Sequence, residues 1–284
     1  VETNTNYGAN RIWFDGYSSL DSIDFDFSFV AMDPNSNFDL RGQTQYRPMS
    51  FLANEDPNVM FRDTIRNAQG HRLATVEVGG VVEGPNLHYS VLLRFIDSTQ
   101  YHYGFMTNGT GRWDMWSGNA QGYNRFIEAI PSVEVFPQGE SYVHPDLSQS
   151  IVSGWTCHPE IISVGNIRNR LSFMSQAGIL YTTNPATTPG DISINSSKGP
   201  NRNNVIKPDI MARGDVTLTV GPFSFLTVNL DKTTPSGFHM GNGGTSMASP
   251  VIAAIGALYL ERCPAGTQGA FMQLLKETSR QNQF

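Results

Sequence analysis

The sequence predicts two unlike halves, an all-β sandwich over residues 1–150 and an α/β half over 151–284. Three observations carry this. The length of 284 residues suits two domains of about 100–200 residues each. The first half alternates apolar and polar residues with period two between turn signals. The second carries short apolar strands, Gly-rich loops and two apolar helical runs.

In the first half, Ile23, Phe25, Phe27 and Phe29 alternate with Asp24, Asp26 and Ser28, as in a strand with one wet face. Leu73 to Val78, Tyr89 to Phe95 and Tyr101 to Phe105 follow as further strands. Asp33-Pro34-Asn35-Ser36-Asn37 and Thr107-Asn108-Gly109-Thr110-Gly111 read as turns. Several short strands at this spacing predict an antiparallel sandwich. In the second half, Ile161–Val164 and Val216–Val220 read as strands, and Val251–Leu260 and Ala270–Glu277 as helices.

Charged residues make up only 15% of the chain and the net charge is −6, which argues against a nucleic-acid surface built on phosphate neutralisation. The longest apolar run is about ten residues, too short to span a bilayer. Asp21, Asp24, Asp26, Asp33 and Asp39 raise the question of calcium. Asp24 and Asp26 fall on the wet face of a strand and no ligand loop of regular spacing is present, so no metal and no cofactor is expected. Cys157 and Cys263 read as buried free thiols, with pairing left open by their number. Trp113, Trp116 and Tyr123, with Arg112 and Asp114, read first as interface packing and second as an aromatic platform for a peptide or glycan.

Chemistry concentrates at Gly244-Thr245-Ser246-Met247-Ala248-Ser249-Pro250, just before the run Val251–Leu260. Gly241, Gly243 and Gly244 allow positive φ or close approach to a ligand. Thr245 or Ser246 suits the helix cap, and Pro250 its first turn. A serine there stands beside unpaired N–H groups and the positive end of the helix dipole, donors that suit a tetrahedral oxyanion. The same residues also read as a Gly-rich turn with an ordinary Ser/Thr cap before a core helix.

This seven-residue segment resembles the nucleophile segment of the subtilisin-like serine proteases, the subtilases. Two upstream stretches resemble the same family in the same order. They are Glu160 to Asn166, similar to its core strand, and Ser196-Ser197-Lys198-Gly199-Pro200 followed by Ile206-Lys207-Pro208-Asp209-Ile210-Met211-Ala212-Arg213-Gly214. Arg213 stands where the family usually has proline. The resemblance covers about 155–280 and implies part of a doubly wound parallel sheet in the second half. It also implies that the first half is a jelly-roll-like insert, as some large bacterial subtilases carry.

The resemblance implies a serine endopeptidase with Ser246 as nucleophile, Gly244, Thr245 and Ser246 forming the oxyanion and substrate loop, and a protein or peptide as substrate. It implies an extracytoplasmic or secreted location. None of the six histidines, His71, His88, His102, His144, His158 and His239, is followed by Gly-Thr, and no aspartate by Ser-Gly or Thr-Gly. Gly118-Asn119 and Gly165-Asn166 make poor matches to the family's oxyanion asparagine. A serine without a positioned base is a weak nucleophile, so the isolated chain is expected to be inactive. The base, its aspartate and the asparagine are expected from a missing N-terminal segment of the same protein. Until that segment or a second copy covers it, an incomplete sheet leaves open edges, which makes a homodimer of the fragment one expected partner. The rival reading is a pseudo-protease that acts as a binding or assembly module through its β-domain. His239 is a rival base, more simply a loop histidine. Asn108-Gly109-Thr110 and Asn195-Ser196-Ser197 match the glycosylation triplet.

Overall fold

The structure is a computed structural model of the chain and describes residues 11–280 except 57, 97–99, 118–125, 129 and 184–186. It divides into two compact units, Val1–Pro145 and Asp146–Phe284.

The first unit is mostly sheet. Its strands are β1 (Arg11–Ser19), β2 (Phe25–Asp33), β3 (Asp39–Gln43), β4 (Arg47–Pro48), β5 (Phe61–Arg66), β6 (Arg72–Glu83), β7 (Asn86–Phe95), β8 (His102–Gly109) and β9 (Asp114–Ser117), with the short α-helix α1 (Met49–Asn54) between β4 and β5. Their hydrogen bonds form one nine-stranded sheet that runs β4-β2-β3-β5-β6-β7-β1-β9, with β8 on the other edge of β2. An antiparallel, jelly-roll-like sandwich was expected; the strands are antiparallel, and their ladder is continuous, with β3 paired to both β2 and β5. The sheet curls on itself. Phe14 of β1 and Phe105 of β8 come from opposite ends of the strand order, yet their rings lie 6.2 Å apart, edge to face.

Period-two patterning drives this curl. Ile12 and Phe14 of β1, Val76 and Val78 of β6, and Leu87, Tyr89, Val91 and Leu93 of β7 all turn inward and are buried. Register keeps them together, since Phe14 opposes Val91 and Val91 opposes Val78. Met49 and Leu52 of α1 close the same core.

Strand β2 departs from the expected single wet face. Only Asp24, ahead of the strand, is exposed, and from Phe27 to Ala31 every residue is buried. β2 is paired on both edges, and the Ser28 hydroxyl donates to the Thr44 carbonyl (2.8 Å), which allows a polar side chain inside. The turn at 33–37 forms as expected, with the Asp33 carboxylate accepting from the Asn35 N–H. Residues 107–109 belong instead to β8, paired with β2.

The second unit is mixed. Its only parallel pair among the described residues is β10 (Val164–Arg168) with β13 (Ile210–Asp215). Short antiparallel pairs flank it: β11 (Phe173–Met174) with β12 (Leu180–Tyr181), and β14 (Thr217–Val220) with β15 (His239–Asn242). Its helices are α2 (Phe223–Leu226), α3 (Thr245–Arg262) and α4 (Gln268–Thr278). Ala248 and Ile252 of α3 are buried in one cluster with Ala212 of β13 and Phe271 and Leu275 of α4. Thr267 caps α4 by accepting from the Ala270 N–H.

Several expected bounds move. The strand expected at Ile161–Val164 begins at Val164, and the one expected at Val216–Val220 begins at Thr217, because Val216 takes φ 51° and ends any ladder there. The cysteines are free but not buried: Cys157 is half-buried and Cys263 exposed just past α3. Among the described residues, no helix is long and apolar enough to cross a membrane.

Candidate active site

The expected site residues sit where β15 turns into α3. Gly244 is the helix N-cap with φ 119° and ψ 169°, a conformation open in practice to glycine alone. No side chain caps the helix, so neither Thr245 nor Ser246 takes the capping role expected of it. The reason is that Gly244 starts the helix one residue earlier, placing Thr245 and Ser246 inside the first turn. Ser246 is exposed there, while Ala248 below it is fully buried. The first-turn amides lack i−4 carbonyl partners, and their dipole end is positive. An exposed hydroxyl therefore stands beside backbone donors on a helix anchored from behind.

Pro250 lies in the second turn rather than the first, with helix on both sides. Its missing N–H leaves the Ser246 carbonyl without an i+4 donor. Of the three glycines, only Gly244 needs its positive φ. Gly241 packs against Tyr181 and Phe173, and a β-carbon on Gly243 would lie 2.8 Å from Asp215 Oδ1. These close approaches are made by the protein's own side chains.

The loop is tied to the strands. The Gly244 N–H donates to the Gly214 carbonyl (2.9 Å), and the Met247 N–H to Gly244 (2.9 Å). Thr217 opposes Asn242, which draws β15 alongside β14. Lys207 and Asp209 build the approach to β13: Lys207 Nζ donates to Asp209 Oδ2 (2.7 Å) and to the Ile161 carbonyl (2.9 Å). Asp209 also accepts from the Ser163 N–H and hydroxyl. Burial works to raise the Asp209 carboxyl, but the bonds from Lys207 and Ser163 outweigh it and hold its pKa below the ordinary value.

No hydrogen bond joins Ser246 to a histidine among the described residues. His239 is exposed on β15, and its carbonyl, not its ring, is engaged, accepting from Thr234. Gly118-Asn119 lies outside the described residues. Asn166 is fully buried in the middle of β10, with neither Oδ1 nor Nδ2 partnered. Trp113 stacks edge-on to Phe105 within its own unit and Trp116 edge-on to Tyr17. Tyr123 lies outside the described residues.

Three buried polar residues near the loop were not expected from the sequence: Asn166, Arg168 and Asp215. The available signal was a charge or amide inside a short apolar strand, where lone polar groups need partners.

This arrangement defines a class: a serine presented at the start of an apolar helix that packs on a parallel strand pair. The model of the subtilase family (peptidase S8) matches residues 117–284, more than half of the chain. The chain belongs to the subtilase family, and at the level of the family it is a subtilase-type peptidase. The match reaches back to Ser117, upstream of the stretches that carry the resemblance in sequence. No curated protein and no solved structure matches the chain.

Proposed function

We propose that this chain supplies the nucleophile of a subtilisin-like serine endopeptidase. Ser246 Oγ attacks the scissile carbonyl while a base takes its proton. The tetrahedral oxyanion is held in part by the Ser246 backbone N–H at the α3 terminus, next to Gly244 and Thr245. Collapse expels the amine with that proton, and water then releases the acyl group. The observation that carries this reading is the exposed Ser246 in the first turn of a helix capped by Gly244.

The base, its orienting carboxylate and a second oxyanion donor come, in this reading, from a further segment of the same protein. Two features support it. No described histidine bonds Ser246. And α3 is apolar on both faces: Ala248 and Ile252 are buried, while Val251, Ile255, Leu258 and Leu260 are exposed, Leu258 at 62%. A helix apolar all round belongs inside a larger domain. The β10–β13 pair would then be part of a doubly wound parallel sheet completed by that segment, with the β unit as an insert and the protein acting outside the cytoplasm. The isolated chain would be inactive.

The test is hydrolysis of an unstructured protein substrate by the longest native polypeptide containing these residues. Hydrolysis that disappears in Ser246→Ala, with stability unchanged, supports the reading. A folded protein whose behaviour Ser246→Ala leaves intact contradicts it and favours a non-catalytic binding module.

A further inference from the structure

The carboxyl ends of the parallel strands hold a buried ion pair that the proposed chemistry does not use. Arg168 closes β10 and Asp215 closes β13. Both side chains are 1% exposed, with Nη1 3.7 Å from Oδ2. The guanidinium is otherwise satisfied: Nε donates to the Arg170 carbonyl (3.1 Å), and Nη2 to the Leu171 carbonyl (2.8 Å) and Thr182 Oγ1 (2.9 Å). The Asp215 carboxylate accepts from the hydroxyls of Thr183 and Ser193 and from the Val216 N–H (3.1 Å). Desolvating two charges is costly, and apolar residues of similar volume often stabilise a fold as well or better. The pair is thus weak evidence for added stability and leaves room for another role.

Its surroundings supply one. Asp215 Oδ1 lies against Gly243, three residues before Ser246. The following residue, Val216, is fully buried and holds φ 51°, a conformation that strains a β-branched residue. Its N–H is the one bonded to the Asp215 carboxylate. That turn separates β13 from β14, so that Gly214 can accept from the Gly244 N–H while Thr217 pairs with Asn242. Carboxylate, strained turn and nucleophile loop are thus in direct succession.

We propose that Asp215, with Arg168 as its counter-ion, is a positioning residue for Ser246. Its carboxylate holds the Val216 turn and buttresses Gly243, and so fixes the backbone that presents the hydroxyl and the oxyanion donor. The catalytic consequence rests on the reading of Ser246 as nucleophile; the mechanical part does not.

Two measurements on the longest native polypeptide keep these apart. In Asp215→Asn, amide hydrogen exchange over 243–247 rises by about tenfold or more while β10 and β13 keep their protection. Fluorophosphonate labelling of Ser246 slows by about a hundredfold, the scale of a 1 Å misplacement. An unchanged loop, or loosening shared equally by loop and strands as a merely structural role requires, overturns the proposal. If Asp215→Asn does not fold, Ser193→Ala and Thr183→Val each remove one hydroxyl donor and keep the ion pair. Faster exchange confined to the loop supports the proposal, and no change in either variant overturns it. A wild-type protein that never labels sinks the nucleophile reading alone, and exchange still decides the positioning role.

Discussion

The Gly244 N–H donates to the Gly214 carbonyl oxygen at 2.9 Å, joining the helix that carries Ser246 to the carboxyl end of β13. Through this bond the position of the serine is set by the parallel strand pair rather than by its loop. The first prediction concerns that junction. Gly244→Ala places a β-carbon on a residue at φ 119°, ψ 169°. Thermal or urea unfolding should show a loss of about 1–3 kcal/mol, the strain of a non-glycine residue in that region. No β-carbon clash exists at the site, so the loss is conformational. An alanine variant as stable as the wild type would mean that the loop relaxes freely.

The second prediction tests the approach to β13. Lys207 is 3% exposed and Asp209 15%. Lys207→Met removes the ammonium, leaves the Ile161 carbonyl without that donor and leaves the Asp209 carboxylate only its bonds from Ser163. Unpairing a buried charge should lower stability by about 3 kcal/mol or more, read from the urea midpoint. A loss below about 1 kcal/mol would place the pair among weak surface bridges.

The third concerns pH and the first unit. On the outer face of the curled sheet, His88 Nε2 lies 3.3 Å from Asp15 Oδ1, Ser90 donates to the same oxygen, and Tyr17 stacks on the imidazole at 4.4 Å. The hydrogen bond to Asp15 raises the His88 pKa above 6.5, against the opposing effect of burial. Burial works to raise Asp15, yet its bonds from His88 and Ser90 bring it below 3.8. The histidine's contribution is therefore complete below pH 6.5 and lost as pH rises through the raised value. The carboxylate's is present above pH 3.8 and lost as pH falls through the lowered value. Unfolding of this unit followed against pH should show stability falling on the alkaline side, and His88→Gln should remove that fall. An identical slope in His88→Gln would assign it elsewhere.

Much of this was legible in the sequence because it is local. Alternation placed β2, β6, β7 and β8, and the turn residues at 33–37 placed the bend between β2 and β3. Ser246 was singled out by the likeness of residues 244–250 to the subtilase nucleophile segment, since the local pattern also fits an ordinary helix cap. What was not legible depends on contacts far along the chain. Ser28 is buried because Thr44 reaches it, and the ladder runs on as one sheet because β5 pairs with β3. Pro250 lies within α3 because Gly244, not a side chain, starts the helix. At the site, Asn166, Arg168 and Asp215 show in sequence only as polar residues within short strands, and nothing local gives their partners. Arg168 and Asp215 meet only when β10 and β13 pair in parallel, 47 positions apart in sequence.

The most direct test of the central claim is fluorophosphonate labelling of the longest native polypeptide containing this chain, with the adduct located by mass spectrometry. A single adduct on Ser246 is expected, absent in Ser246→Ala and absent from the isolated 284-residue chain. A folded, full-length protein that stays unlabelled, or one labelled at another residue, would contradict it.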